Sequence, residues 1–304
     1  MKIRSITYFC NPQFLLDETI LRKAGEFLAN AKFAYEAAGY EVQTTRLATI
    51  PFPKLLNGKV GQLPFLAEKL SGILKQIGLA YAALGPALIE FPESYAVIPE
   101  AISASENIFF GGVMADKANG ISLKAVKACA EIIQRASTIS PDGFANLNFA
   151  ALANVKANAP FFPAAYHDAD EPAFAVAVES ADLAIEAFSG RQTMDDGRRA
   201  LISEITKHGQ AIAKVAQSLL SNLQSLTFKG IDFSLAPFPD DAHSLGGAVE
   251  AMGVTKIGLH GSLAAAALLT EAVDRADFPH TGFSGLCSPS LRIRSWRNAP
   301  PTVC

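Results

Sequence analysis

The chain has 304 residues, 50% of them apolar, and 26 Lys and Arg stand against 29 Asp and Glu for a net charge of −3. That composition is too apolar and too weakly charged for a disordered chain, and a slightly acidic balance excludes a dedicated nucleic-acid binder, whose surface needs a strong excess of base. The longest uncharged apolar stretch, 77–89, is broken by Gly78, Gly85 and Pro86 and falls short of the roughly 20 residues of a membrane span.

Asn11 and Pro12 arrive before a signal-peptide core can form. The expectation is a cytoplasmic protein that binds neither nucleic acid nor membrane. Cys10, Cys129, Cys287 and Cys304 form no CxxC pair, so neither a zinc site nor a disulfide framework is signalled.

Along the chain, strands and helices alternate. Residues 2–9 read as a buried strand. Asp17 can cap a helix whose apolar stripe runs Ile20, Ala24, Phe27, Leu28, Ala31, Tyr35 and Ala38, with Gly39 as its stop. Residues 40–47 return as a strand, Pro51, Pro53, Asn57, Gly58 and Gly61 mark a loop, and 63–76 is helical. A strand at 79–84, a helix at 93–104, a strand at 106–114, a helix at 122–137 and a strand at 148–155 follow. Residues 173–178 read as a further strand running into a helix at 179–188. The strongest helical period is 197–226, through Leu201, Ile205, Ile212, Val215, Leu219, Leu223 and Leu226. A strand at 230–235 and helices at 243–252 and 262–276 complete an α/β pattern with no linker that divides it. From 288 to 304 no period survives, and the segment carries Arg292, Arg294, Arg297 and Trp296 without an acid.

No GxGxxG follows a strand and no GxxxxGK[ST] is present, so dinucleotide and P-loop sites lack their backbone cradle, and no cofactor is indicated. Two loops share a wording instead. The first, after 148–155, reads Ala159-Pro160-Phe161-Phe162-Pro163 and then Tyr166-His167-Asp168-Ala169-Asp170-Glu171. The second, after 230–235, reads Ala236-Pro237-Phe238-Pro239 and then Asp240-Asp241-Ala242-His243. Proline ends strand pairing, phenylalanine can wall a pocket, and histidine beside a carboxylate makes an acid–base pair. Ligand sites in α/β proteins gather at strand ends, so the two loops are expected to line one pocket.

For His243 the competing reading is a helix start capped by Asp240 or Asp241. His167 has no following helix to absorb its acids and is the candidate acid–base group, oriented by Asp168, Glu106 or Asp232. His208, on the apolar stripe, reads as a core histidine. Glu106 and Asn107 open an apolar strand, where a carboxylate either sits at a wet lip or meets a partner in a site. Asp116 follows that strand's end. Asp232 and Ser234 alternate with Phe233 and share one face. The candidate catalytic set is therefore His167, Asp168, Glu106, Asp232 and Ser234. Asn107, Asp116, Phe161, Phe162, Tyr166 and Phe238 are the candidate substrate contacts, and no metal ligands are named.

Several stretches resemble a bacterial and archaeal family of uncharacterised proteins catalogued as domain of unknown function seven-one-one. They are the opening Met1–Thr7, Ser105–Phe110, Ala115-Asp116 with Gly120-Ile121, Pro160–His167, Asp232–Pro239 and Phe283–Leu286. The resemblance runs from residue 1 to about 286. It implies a fold like that of pyruvate formate-lyase, a ten-stranded β/α barrel built from two half-barrels, and brings no reaction with it. It also implies a continuation past Leu286, whereas the composition shifts at Cys287. On that ground 1–286 is expected to be a single, partial-barrel domain and 287–304 an irregular basic tail produced by truncation or a frameshift. Three readings stay open: an enzyme or enzyme remnant acting on a small polar metabolite, a non-catalytic small-molecule binder, and a truncated product without function. A partial barrel would leave apolar surface bare, and self-association into a homo-oligomer is the expected consequence.

Overall fold

The computed structural model describes residues 1–221, 223, 225–235 and 244–286. Its strands and helices run β1 (Lys2–Cys10), α1 (Glu18–Ala37), β2 (Val42–Pro51), α2 (Phe52–Leu55), α3 (Leu63–Gln76), β3 (Tyr81–Ala87), α4 (Ile98–Ser103), β4 (Ile108–Asp116), β5 (Gly120–Ile121) and α5 (Leu123–Ala136). They continue through β6 (Phe149–Ala153), β7 (Ala173–Glu179), α6 (Ala181–Phe188), α7 (Met194–Leu220), β8 (Thr227–Ser234), α8 (Leu245–Ala251) and α9 (Ser262–Arg275). Local chemistry sets most of these boundaries. The Asp17 carboxylate accepts the Thr19 N–H at 2.8 Å to start α1, and Gly39, at φ +90°, follows its end. Thr193 caps α7 and starts it at Met194, ahead of the expected 197. The helix stops at Leu220, short of 226, where the Ser221 hydroxyl turns back to the Ser218 carbonyl. Ser244 caps α8, its side chain accepting the Gly247 N–H.

The strands form one eight-stranded sheet in the order β5-β4-β3-β2-β1-β7-β8, with β6 also on β4. β1, β2, β3, β4 and β6 are parallel, and their C-terminal ends make what we call the upper rim. β7 runs antiparallel to β1 and β8 runs parallel to β7, so β8 ends at the lower rim. The cause lies in residues 154–172. A parallel return needs a crossover, usually a helix, and this segment has none, so the chain re-enters at the rim it left and runs down. The architecture is α/β, built on one large mixed sheet, and among the described residues that sheet is open and does not close into a barrel.

Helices bury one face of the sheet. Ile3, Ile6, Phe174, Val176, Val178, Ile231 and Phe233 belong to a single core with Leu28, Leu70, Ile102, Ile132, Leu201, Ile205 and Leu269. Removing each such side chain from water contributes about 1.5–3 kcal/mol. The other face carries a separate small cluster, Phe9, Ala48, Ala83, Ala173 and Ala175, covered by Ala165 and Phe162 of the 154–172 segment. No described helix is long and apolar enough to cross a membrane. Cys10 and Cys129 are buried free thiols. Phe238, Asp240, Asp241, His243 and the 287–304 tail lie outside the described residues.

Candidate functional site

The 154–172 segment is stitched to the upper rim by its own backbone. Asn154 N–H donates to the Ala115 carbonyl at the end of β4, and His167 N–H to the Thr49 carbonyl near the end of β2, each at 2.9 Å. The Asn11 amide just past β1 donates to Asp170 at 3.0 Å. Asn154 and Asn158 take left-handed backbone (φ 54° and 64°), which asparagine tolerates better than most residues. Asn158 N–H then meets the Tyr166 carbonyl at 2.7 Å, and the Tyr166 hydroxyl donates to the Val155 carbonyl at 2.9 Å.

His167 is fully buried beneath this loop, against Phe9. Its Nε2 faces the Glu171 carbonyl at 2.9 Å and its Nδ1 faces Asn158 Oδ1 at 2.8 Å, while Asn158 Nδ2 donates to Asp168 Oδ1 at 3.2 Å. The result is a continuous chain, Glu171 carbonyl, His167, Asn158, Asp168. Burial pushes the His167 pKa below its ordinary value, opposed by the Glu171 carbonyl and then by the nearby Asp168. Both ring nitrogens are occupied, so His167 cannot itself meet a substrate as the acid–base group first expected. Asp168 is exposed and lines a cleft of about 390 Å³ with Lys54, Glu90, Tyr166, Asp170 and Leu88, at the C-terminal ends of β2 and β3.

The structure separates the other sequence candidates from this cleft. Asp232 is almost fully buried near the lower rim. It accepts Ser234 Oγ at 2.6 Å and Ser284 N–H at 2.9 Å on Oδ1, and Phe283 N–H at 3.1 Å on Oδ2. Burial raises its pKa against the pull of these donors. A Cβ on Gly282, at φ +63°, would strike the Asp232 carboxylate, so this residue must be glycine for the loop to close. Asp232 and Ser234 do share a face, as expected, and there they pin 282–285 to β8. Ser234 registers with Glu179 and through it with Lys2, whereas His167 bonds at Thr49, the register partner of Cys10. The length of β1 lies between them, on the order of 25 Å. His167 and Ser234 therefore line no common pocket, because β8 runs opposite to the strands that end beneath His167.

The remaining candidates divide between the rims and the loop. Glu106 is exposed at the lower rim, just before β4, in a cleft of about 540 Å³ with Tyr81, Phe109 and Phe144, so the wet-lip reading applies. Asn107 ties Ser71 Oγ (2.7 Å) to the Ala80 carbonyl (3.3 Å). Asp116 builds the β4–β5 turn, accepting Asn119 N–H at 2.6 Å and Ala118 N–H at 2.9 Å, and the Asn119 bonds hold its pKa low. Phe161 meets Phe283 edge-on at 5.3 Å, and Phe162 meets Phe109 at 5.5 Å. His208 is bonded at 3.2 Å to Tyr40 at the edge of the helical layer and is only partly buried.

Sequence reasoning passed over Asn158, the link between His167 and Asp168. Its signal was available, since an asparagine in a proline-rich loop can bond ahead to its own segment. Arg46 was also missed. Its guanidinium stands 5.0 Å from the Phe162 ring centre and 5.9 Å from that of Tyr81, and its Nε donates to Thr44 at 2.9 Å. Among the described residues no group of three His, Cys, Asp or Glu is placed to hold a metal ion.

An α/β protein with an open mixed sheet and a polar cleft at the C-terminal ends of its parallel strands is the class these features define. The chain belongs to the family described as Uncharacterised ACR (DUF711), which matches residues 1–291. It is 27% identical over 285 residues to a UPF0210 protein of Methanopyrus kandleri, covering 88% of this chain and 63% of that one. A UPF0210 protein of Clostridium perfringens is 28% identical over 72% of this chain and 51% of its own length. One from Acetivibrio thermocellus is 32% identical over 59% and 41%. The chain thus spans between two fifths and two thirds of these relatives.

Proposed function

We propose that this protein acts on a small polar metabolite in the upper-rim cleft, with Asp168 as the acid–base group and His167 as a positioning residue behind it. The observation that carries this reading is the unbroken chain from Glu171 through His167 and Asn158 to Asp168. An imidazolium would donate to both the Glu171 carbonyl and Asn158 Oδ1, leaving the Asn158 amide N–H for an ionised Asp168. A neutral imidazole with its proton on Nε2 must accept at Nδ1, which requires Asn158 to turn its amide. Its carbonyl then faces Asp168 and favours a carboxyl that donates. Asn158 thereby couples the proton on His167 to the proton on Asp168, and a group exposed in a cleft gains two protonation states without exposing the imidazole. Lys54, lining the same cleft, suits a substrate that carries a negative charge.

The second reading, binding without turnover, is favoured by the closed bonding of both His167 nitrogens. One experiment separates the two. Wild type and Asp168→Asn are screened by thermal shift against a metabolite library, and each hit is then followed by NMR for conversion. The proposal expects a hit that wild type converts, and that Asp168→Asn binds at least as well but leaves unchanged. Hits bound equally by both proteins and never converted would favour the binder. Hits that ignore Asp168→Asn in both binding and conversion would remove the cleft from consideration.

A further inference from the structure

Strands β3, β4 and β6 run parallel, so the segments at their starts converge at the lower rim. Between those segments lies the cleft of about 540 Å³ that Glu106 borders. Tyr81 opens β3, Phe109 is the second residue of β4, and Asp142, Phe144 and Leu147 come from the stretch just before β6. The Tyr81 and Phe109 rings meet edge-on at 5.5 Å. Phe144 is 64% exposed and Leu147 61%. Single exposed apolar side chains are ordinary. These two stand on the wall of one cleft beside two further rings, and apolar surface gathered in a concavity marks a binding place.

The charges around this cleft have one sign. Glu106 is exposed and, among the described residues, joins no ion pair. Asp142 is exposed as well. It accepts the Phe144 N–H at 3.1 Å, and that bond, followed by one from the Ser140 hydroxyl, holds its pKa below the ordinary carboxylate value. The same bond fixes a carboxylate beside the residue that carries the exposed ring. Among the described residues no Lys, Arg or His lines the cleft. Arg46 stands 5.9 Å from the Tyr81 ring centre without joining the lining. Tyr81 thus already meets one cation, which leaves Phe144 and Phe109 for a second.

Carboxylates without a base, set among aromatic rings, suit one class of ligand. An anion is repelled, and a neutral apolar molecule makes no use of the two charges. A hydrated metal ion gains little from an apolar wall. An ammonium whose charge is spread over alkyl groups uses both parts, with its carbon against the rings and its charge toward the carboxylates.

We infer that the lower-rim cleft binds a small alkylated ammonium, its alkyl groups packed against Phe144, Phe109 and Leu147 and its charge set toward Glu106 and Asp142. This site is separate from the Asp168 cleft, which lies at the opposite ends of the strands.

The test uses the full chain and tetramethylammonium chloride as the probe. Binding is followed by NMR, through saturation transfer from the protein's aromatic protons to the methyl signal and through the shift of that signal on titration. Two controls divide the probe into its parts: tert-butanol has the methyl groups without the charge, and ammonium chloride has the charge without the methyl groups. Tetramethylammonium should bind saturably, tert-butanol at least about threefold more weakly, and ammonium chloride at equal ionic strength should not displace the probe. Phe144→Leu, which keeps the apolar bulk, and Glu106→Gln should each weaken binding about threefold, whereas Asp168→Asn, at the other rim, should change it less than about twofold. If Phe144→Leu does not fold, Glu106→Gln makes the comparison alone. The inference is overturned if no saturable binding is seen, if tert-butanol binds as well, or if ammonium chloride displaces the probe. It is equally overturned if Phe144→Leu and Glu106→Gln bind like wild type, or if Asp168→Asn weakens binding more than they do.

Discussion

The upper and lower rims each carry a carboxylate near a strand end, and the fold gives the two opposite tasks. Asp168 stands exposed in a cleft, and only one of its oxygens is tied, through Asn158, to a buried imidazole. Asp232 is almost fully buried, and three donors from its own chain close it off. The first arrangement leaves lone pairs for a visitor. The second uses them to hold a loop that has no other regular structure. A carboxylate near a strand end signals a site only when its bonds do not all finish inside the protein.

The contrast is broken most readily at Asp232. Replacing it with Ala strands the Phe283 and Ser284 N–H groups, and the expected loss is about 2–4 kcal/mol, seen as a lower urea midpoint. Gly282→Ala should cost about as much, since it adds both a left-handed strain and a contact with the same carboxylate. Stability of either variant within experimental error of wild type would mean that 282–285 is not pinned there.

His167→Gln comes next, with an expected loss of about 1–3 kcal/mol for a broken buried bond. The loop should loosen while the sheet stays folded, visible as faster amide exchange at 158–171 alone. Exchange that rises evenly through β1, β7 and β8 would show that His167 supports the whole fold and not the loop.

The pH dependence sharpens the same comparison, because the signs differ. His167 and His208 have folded pKa values lowered from 6.5, in each case by burial first. The unfolded chain therefore takes up protons before the folded one, so stability should fall as pH drops through 6.5 and level off below the lowered values. His167→Gln should flatten that slope in part. Asp232 is shifted upward from 3.8 by burial. The folded state holds its proton first, so this group adds stability as pH falls through its raised value toward 3.8 and not the reverse. Urea midpoints across that range, for wild type and Asp232→Asn, read both signs.

The smallest effect is expected at the exposed carboxylates. Asp168→Asn and Glu106→Gln should each change stability by no more than about 0.5 kcal/mol. A large loss for Asp168→Asn would place it with Asp232 as a structural pin and would undercut the proposed cleft chemistry.

Much of this organisation can be read from one dimension. The stripe Leu21, Ala24, Phe27, Leu28, Ala31 and Tyr35 is buried along α1, closely matching the period read from residue 20 onward. Asp17 and Gly39 bound that helix as their chemistry requires. Ser234 reaches Asp232 because alternate residues of a strand share a face. These are local facts, settled within a turn of helix or two residues of strand. The direction of β7 is not local: a period of two looks the same in parallel and antiparallel pairing, and only the path of 154–172 across the rim decides it. That path set His167 and Ser234 at opposite rims despite their matching loops. It also laid Phe162 beside Arg46 and hid His167 behind Asp168. Neighbours across strands, such as Thr7 with Arg46 or Ser5 with Ala177, come from register, and register is chosen by the whole sheet and the helices packed on it.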